Sequence, residues 1–370
     1  MSLRSWLLLL LVPIAVPLFS QAEPAQEEQL EAPLVKDAVQ GGWSVIEQEK
    51  SKALVEQDDA VREQNAREQL DLLRVERNTS LAKNQGAIPP MDQARLVDLA
   101  VELNAAAPQT FEAHMANYYT KFPAPVAFQE LELAGAKAND REELVAPRLV
   151  NAARKDNATE LAIRAKEMKL RGKIAPALYL VAEDIMASVE PSAVLFAAGE
   201  MDAYPLWVEQ FADGKRKDLL VVDERLLADP AYRLRIWERV KAKGVVSGES
   251  GFIANLSNAS ERPVYLSLSL GQATMMPLKD KLYVTGSAMR LSNTAVDNIP
   301  LLESRWDRLR KPMDAGPLSR NYLVPGAVLL THYRTIGDEA RAARLEHELR
   351  EMAKRLGATS TLIKTGVLTH

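Results

Sequence analysis

The chain has 370 residues, 47% of them hydrophobic, no cysteine, and a formal net charge of −4 at pH 7. This length and apolar content suffice for one or two hydrophobic cores. The net negative charge argues against nucleic acid as the main partner. The lack of cysteine excludes disulfides, cysteine catalysis and thiolate metal sites.

The first 22 residues have the three parts of a secretory signal peptide. Arg4 provides the positive end, Trp6–Phe19 the apolar region, and Ser20-Gln21-Ala22 a small-x-small cleavage site. The apolar region is shorter than the ~20 residues that span a bilayer. Residues 1–22 are therefore predicted to be removed, leaving a periplasmic or secreted protein without a membrane span.

Residues 23–90 are predicted to form a polar N-terminal extension. A lead-in rich in Glu, Gln and Pro precedes Trp43–Leu81, a long helical stretch with apolar residues only at wide intervals. Such a helix has a large solvated surface and either lies against the body or projects from it. Asn84–Pro90 has the composition of a linker.

Residues 91–190 have helical spacing of apolar residues throughout. Two helices are predicted to begin at capping boxes, Asp140-x-x-Glu143 and Asn157-x-x-Glu160. Helices of similar length joined by tight turns favour antiparallel pairs stacked as an α-solenoid of tetratricopeptide-like geometry.

Residues 191–293 are predicted to form a small α/β domain with a Rossmann-like parallel sheet. The short apolar runs 192–197 and 219–222 read as buried strands on either side of a helix over 205–211. Two further strands are predicted at 263–270 and 282–291.

Residues 294–370 are predicted to form a C-terminal helical region. Its helices are expected at Ile299–Leu309, Arg320–Ile336 and Asp338–Leu356. Gly337 is placed to make the turn of a tetratricopeptide-like pair, and Ala342 to allow close helix approach. The predicted fold class is therefore α/β combined with all-α regions.

The segment Gly199–Trp207, which reads GEMDAYPLW, resembles a motif of the protein O-mannosyltransferase-like family. The resemblance continues through Lys217–Asp223 and Asp280–Leu291 and covers about 174–357. Members of this family are bacterial membrane glycosyltransferases with an extracytoplasmic region of α/β and tetratricopeptide-like structure. The resemblance is confined to that region and does not reach the membrane spans, where the family's catalytic acids and lipid-linked sugar would lie.

Three acidic residues mark the carboxyl edge of the predicted sheet, where open α/β sheets bind ligands. Glu200 and Asp202 follow the first strand, and Asp223 ends the second. They would hold a divalent cation or sugar hydroxyls; alternatively, Asp202 and Asp223 cap the helices that follow them. With Tyr204 and with Arg225, which is placed to pair with Asp223, they form the predicted ligand-binding set. The sequence assigns no catalytic residue, metal or cofactor.

Two functions are compatible with these sequence features. The leading hypothesis is an exported, non-catalytic binding or scaffold protein, an accessory to envelope glycan assembly or protein glycosylation. Its expected partner is a membrane glycosyltransferase, another envelope protein or a glycan. The alternative is a metal-assisted enzyme that acts on a sugar or phosphate ester at the acidic sheet edge.

The mature protein is expected to begin near Glu23, because signal peptidase cleaves after the small-x-small site. N-terminal sequencing of protein recovered from the extracytoplasmic fraction checks this expectation. Recovery of protein that still carries Trp6–Phe19 would contradict it.

Overall fold

The computed structural model describes residues 43–84 and 88–369, with the side chains of the first helix from residue 60 onward. The predicted signal peptide and the lead-in lie outside the described residues. The helices are α1 (Trp43–Lys83), α2 (Pro90–Ala106), α3 (Phe111–Lys121), α4 (Pro125–Lys137), α5 (Val145–Arg154), α6 (Ala158–Leu170), α7 (Pro176–Ala187), α8 (Glu200–Phe211), α9 (Pro230–Arg239), α10 (Phe252–Ala259), α11 (Gln272–Met275), α12 (Ile299–Trp306), α13 (Leu323–Thr335), α14 (Glu339–Arg355) and α15 (Thr359–Lys364). The strands are β1 (Val194–Ala197), β2 (Leu220–Asp223), β3 (Val264–Ser267), β4 (Leu282–Val284) and β5 (Ala288–Leu291).

The first six helices pack as three consecutive pairs, α1 with α2, α3 with α4, and α5 with α6. Asn157 starts α6 as predicted, because its side chain accepts a hydrogen bond of 3.0 Å from the amide of Glu160. The capping box predicted at Asp140 is wrong. The Glu143 carboxylate is held by Arg141 at 2.7 Å, and a 3₁₀ turn over Glu142–Leu144 leads into α5 instead.

The second half of α1 lies against the body. Ala66, Leu70 and Leu73 are buried and belong to the same hydrophobic cluster as α2 and α3, whereas the neighbouring Leu72 is 47% exposed. One narrow apolar face is enough to hold a helix that is otherwise polar. The packing explains the widely spaced apolar residues seen in the sequence.

The sheet has the strand order β2-β1-β3-β5-β4. β1 is parallel to both β2 and β3, but β5 is antiparallel to β3 and to β4. The sheet is therefore mixed, and the predicted all-parallel arrangement is corrected. The strand expected to continue from Leu282 to Leu291 is broken at Gly286, where a φ of +138° makes the tight turn of a β4–β5 hairpin.

A buried carboxylate joins α7 to the C-terminal helices. Asp184 accepts hydrogen bonds from the Tyr322 hydroxyl at 2.7 Å and from the amides of Arg310 and Lys311. In the C-terminal region, Gly337 turns the chain from α13 into α14 with a φ of +74°. The result is a mostly helical protein with a small mixed sheet, and its buried cluster extends from Ala66 to Leu368.

None of the described helices combines the length and apolarity that crossing a bilayer requires.

Truncation of Leu73 tests whether α1 is part of the core. Leu73 is 0% exposed, so Leu73→Ala should lower the free energy of unfolding by about 2–5 kcal/mol. Leu72→Ala makes the same chemical change at the exposed neighbouring position and should cost less than about 0.5 kcal/mol. Urea denaturation measures both. Equal losses in the two variants would contradict the packing of α1.

Candidate functional site

The candidate site begins where β1 leads into α8. Gly199 stands at this turn with a φ of +69°, a conformation that side chains rarely tolerate. A β-carbon on Gly199 would also lie only 3.3 Å from the guanidinium carbon of Arg225. Glycine is therefore required for the turn, and any side chain at this position would also crowd Arg225.

Arg225 is the central cation of the site. It pairs with Asp223, which is fully buried, through contacts of 2.7 Å from Nη2 and 3.1 Å from Nε. Asp223 also accepts a hydrogen bond from the Arg225 amide at 3.1 Å and so caps the 3₁₀ turn that follows β2. The cap and the ion pair expected for Asp223 are both confirmed. The guanidinium lies 4.9 Å from the ring centre of Phe122 and 6.0 Å from that of Tyr204.

Glu200 lies between two arginines from distant parts of the chain. Its Oε1 atom is 2.7 Å from Nη2 of Arg77 on α1 and 3.6 Å from Nη1 of Arg225. Burial opposes the ionisation of Glu200, but the two guanidinium groups outweigh it and hold its pKa below the usual value. Arg77 is only 7% exposed and stands 5.2 Å from the centre of the Tyr119 ring.

Sequence reasoning did not identify Arg77. Its partner Glu200 is 123 positions away, and its helix has the composition of a solvated surface. No local pattern distinguishes this arginine from the exposed charges around it. Only the packing of α1 on the body brings it to the sheet edge.

Asp202 does not cap α8 as the sequence predicts. The helix begins at Glu200, so Asp202 lies within the first turn, where its Oδ2 atom accepts a hydrogen bond of 2.8 Å from the Ala198 amide. Asp202 therefore ties the end of β1 to α8. Its side chain is buried, and burial raises its pKa to about 6; the charge of Asp223 adds to this rise, while Ala198 and Ser267 oppose it.

Tyr204 belongs to the wall of the site. It is 6% exposed, and its ring stacks on Trp207 with 5.9 Å between ring centres and an interplanar angle of 20°. Burial raises the pKa of its hydroxyl, so Tyr204 remains neutral and serves as an apolar face with a polar end.

A cleft of about 460 Å³ opens in front of these residues, between the helical region and the start of α8. Its aromatic residues are Tyr118, Tyr119, Phe122 and Tyr204. Several of its charges are already paired, since Arg74 contacts Asp71 at 2.9 Å and Lys173 contacts Glu142 at 2.6 Å. The lining residues are Asp71, Arg74, Arg77, Asn78, Tyr118, Tyr119, Phe122, Glu142, Glu143, Val145, Ala146, Pro147, Met168, Lys173, Ile174, Leu178, Glu200, Met201 and Tyr204.

The five residues predicted from the sequence all come to one region, but they have different roles there. Glu200 and Tyr204 line the cleft. Arg225 contacts both of them, and Asp223 holds Arg225. Asp202 fixes the turn between β1 and α8.

The acidic residues of the edge are engaged by protein groups. Glu200 and Asp223 pair with guanidinium groups, and Asp202 holds a backbone amide. Within the described part of the chain, no group of three or more His, Asp and Glu side chains is arranged to hold a metal ion. The arrangement can orient a polar ligand through aromatic faces and charged hydrogen-bonding groups.

Asp202→Asn should become more stable relative to wild type as the pH rises. The pKa of Asp202 is about 6 in the folded protein against 3.8 for an ordinary aspartate, so the folded state binds the proton more tightly. The contribution of Asp202 to stability is therefore fully present below pH ~3.8 and lost as the pH rises through ~6. Because Asn does not titrate, the difference in unfolding free energy between Asp202→Asn and wild type should shift in favour of the variant by up to roughly 3 kcal/mol between pH ~4 and pH ~7.

Urea denaturation of wild type and Asp202→Asn at the two pH values measures this difference. Asp98→Asn, at an exposed position, is the control and should follow wild type at both. A gap between Asp202→Asn and wild type that is the same at both pH values would contradict the assignment of Asp202 as a buried, titrating carboxyl.

Comparison with known proteins identifies the same segment. Residues 179–242 match the family model described as TMEM260-associated domain 2. The match runs from α7 through β1, α8 and β2 to α9 and includes all five predicted site residues. This family is linked to a membrane glycosyltransferase-like protein. No curated protein and no solved structure matches the chain.

Proposed function

We propose that this chain is an exported, non-catalytic binding or scaffold protein that holds a glycan in the cleft between α1, α3 and α8. Its role would be accessory to envelope glycan assembly or protein glycosylation, in the periplasm or outside the cell. A membrane glycosyltransferase or another envelope protein would be its partner.

The volume of the cleft and the residues that line it support this proposal. A volume of about 460 Å³ falls within the range of small-ligand sites, which combine aromatic walls with a few placed polar groups. The half-buried rings of Tyr119 and Phe122 offer faces on which the C–H groups of a sugar ring can pack. The neighbouring charged side chains supply hydrogen-bond donors and acceptors for its hydroxyls.

The state of the acidic residues favours binding over catalysis. A general base needs a carboxylate free to take a proton from the substrate. Here Arg77 holds Glu200 and Arg225 holds Asp223. The Ala198 amide engages one oxygen of Asp202, whose side chain is buried and does not line the cleft. The Asp223–Arg225 pair and the Asp202–Ala198 hydrogen bond fix the shape of the sheet edge behind the cleft, as a binding site requires.

The family match supports the glycan context. The motif Gly199–Trp207, on which the resemblance to the O-mannosyltransferase-like family rests, lies inside the matched residues 179–242. We infer on this basis that the helical pairs are tetratricopeptide-like and the sheet Rossmann-like, as in the soluble region of that family. The chain would then use a fold like the extracytoplasmic region of such an enzyme for binding.

A panel of neutral oligosaccharides tests the proposal. Titration of the exported protein, followed by NMR or calorimetry, should find binding by at least one member of the panel. Tyr119→Ala should weaken that binding about tenfold, because one aromatic face of the cleft is lost.

Tyr179→Ala is the matched control, since Tyr179 is also half-buried but does not line the cleft. It should bind like wild type. Failure of every saccharide to bind, or an equal loss in both variants, would contradict the proposed function.

A further inference from the structure

We propose that Arg77, which lines this cleft, and Arg225, which lies behind Glu200, form an anion subsite at its edge and that Glu200 is the internal occupant of that subsite. The ligand would then be an acidic saccharide, whose carboxylate or phosphate group takes the place of the Glu200 carboxylate. This inference rests on the proposed function and narrows it to one class of glycan.

Arg225 is held in place without help from Glu200, and Arg77 has packing contacts besides its pair with Glu200. Asp223 fixes Arg225 through two of its nitrogens, and Phe122 and Tyr204 flank the guanidinium. The side chain of Arg77 is 8% exposed, and its guanidinium lies 5.2 Å from the Tyr119 ring centre. Two fixed guanidinium groups beside a cleft are the usual protein device for recognising carboxylates and phosphates.

Glu200 is the less confined partner. Its side chain is 37% exposed and extends from the first residue of α8, so it can turn toward solvent. A single oxygen, Oε1, serves both arginines, at 2.7 Å from Arg77 and at the longer distance of 3.6 Å from Arg225. A ligand anion that offers a separate oxygen to each arginine would satisfy both better.

The balance of charges requires the ligand anion to replace the Glu200 carboxylate rather than to bind beside it. Arg77 and Arg225 carry two positive charges, which Glu200 and Asp223 balance. An anion that entered beside Glu200 would meet its repulsion, whereas one that replaced it would preserve the balance. The N-terminus of the 12-residue helix α8 adds a positive partial charge at the same place. Glu200 therefore competes with the ligand and sets its affinity.

Neutralising this competitor tests the inference. Wild type and Glu200→Gln are titrated with inorganic phosphate, galacturonate, galactose 1-phosphate and neutral galactose. Glu200→Gln should bind the anionic probes about tenfold more tightly than wild type and should bind galactose unchanged. Adding Arg77→Gln to Glu200→Gln should abolish this gain. A preference for galacturonate identifies a carboxylate ligand, and a preference for galactose 1-phosphate identifies a phosphate.

Glu346→Gln is the matched control. Glu346 also lies between two arginines, Arg334 at 2.7 Å and Arg350 at 2.8 Å, but on the C-terminal helices away from the cleft. It should show no gain in affinity for any of the anions. Circular dichroism verifies that each variant is folded. If Glu200→Gln does not fold, Glu200→Asp takes its place; its shorter side chain keeps the charge but withdraws from the arginines, and a smaller gain is expected.

Anion affinities that are equal in wild type and the Glu200 variant would overturn the inference, as would an equal gain in Glu346→Gln. Neither result touches the proposed function, which depends on neutral saccharides and on Tyr119. Loss of saccharide binding in Tyr119→Ala together with unchanged anion binding in Glu200→Gln would therefore leave a glycan site without an anion subsite.

Discussion

The architecture of the site depends on one half-buried cation, Arg225. A guanidinium largely removed from water must be paired, and the fully buried Asp223 provides that pair at the end of β2. Its surroundings are close-packed. A β-carbon on Gly199 would lie 3.3 Å from the guanidinium carbon, and Phe122 and Tyr204 flank the guanidinium. Through Glu200, the same network reaches Arg77 on α1. A helix that is otherwise polar is thus tied to the carboxyl edge of the sheet.

Within this network, the residues that support the structure differ from those that face the cleft. Asp202 and Asp223 are buried and hold the backbone and Arg225, so their negative charges shape the cleft without lining it. Arg77, Glu200 and the aromatic rings line the cleft itself. Buried ion pairs fix geometry more than they add stability. The fixed Asp223–Arg225 pair and the aromatic rings suit the binding of a polar ligand proposed above.

Much of this arrangement could be predicted from the sequence, because local patterns determine it. The apolar runs of β1 and β2 and the aspartate that ends β2 are local, and parallel strands bring their carboxyl ends together. The start of α8 could not be predicted, since an aspartate before a helix and one in its first turn look alike in sequence. The pairing of Arg77 with Glu200 depends on tertiary packing across 123 positions. The β4–β5 hairpin depends on the backbone at Gly286, whose φ of +138° cannot be derived from the neighbouring residues alone.

The central claim is that the cleft at the sheet edge receives an acidic group between two arginines. A crystal structure of the protein with galacturonate tests this most directly. We expect the galacturonate carboxylate to lie between Arg77 and Arg225, the Glu200 side chain to have turned toward solvent, and the sugar ring to pack on Tyr119 or Phe122. Galacturonate bound elsewhere, with Glu200 still paired to Arg77, would contradict the claim.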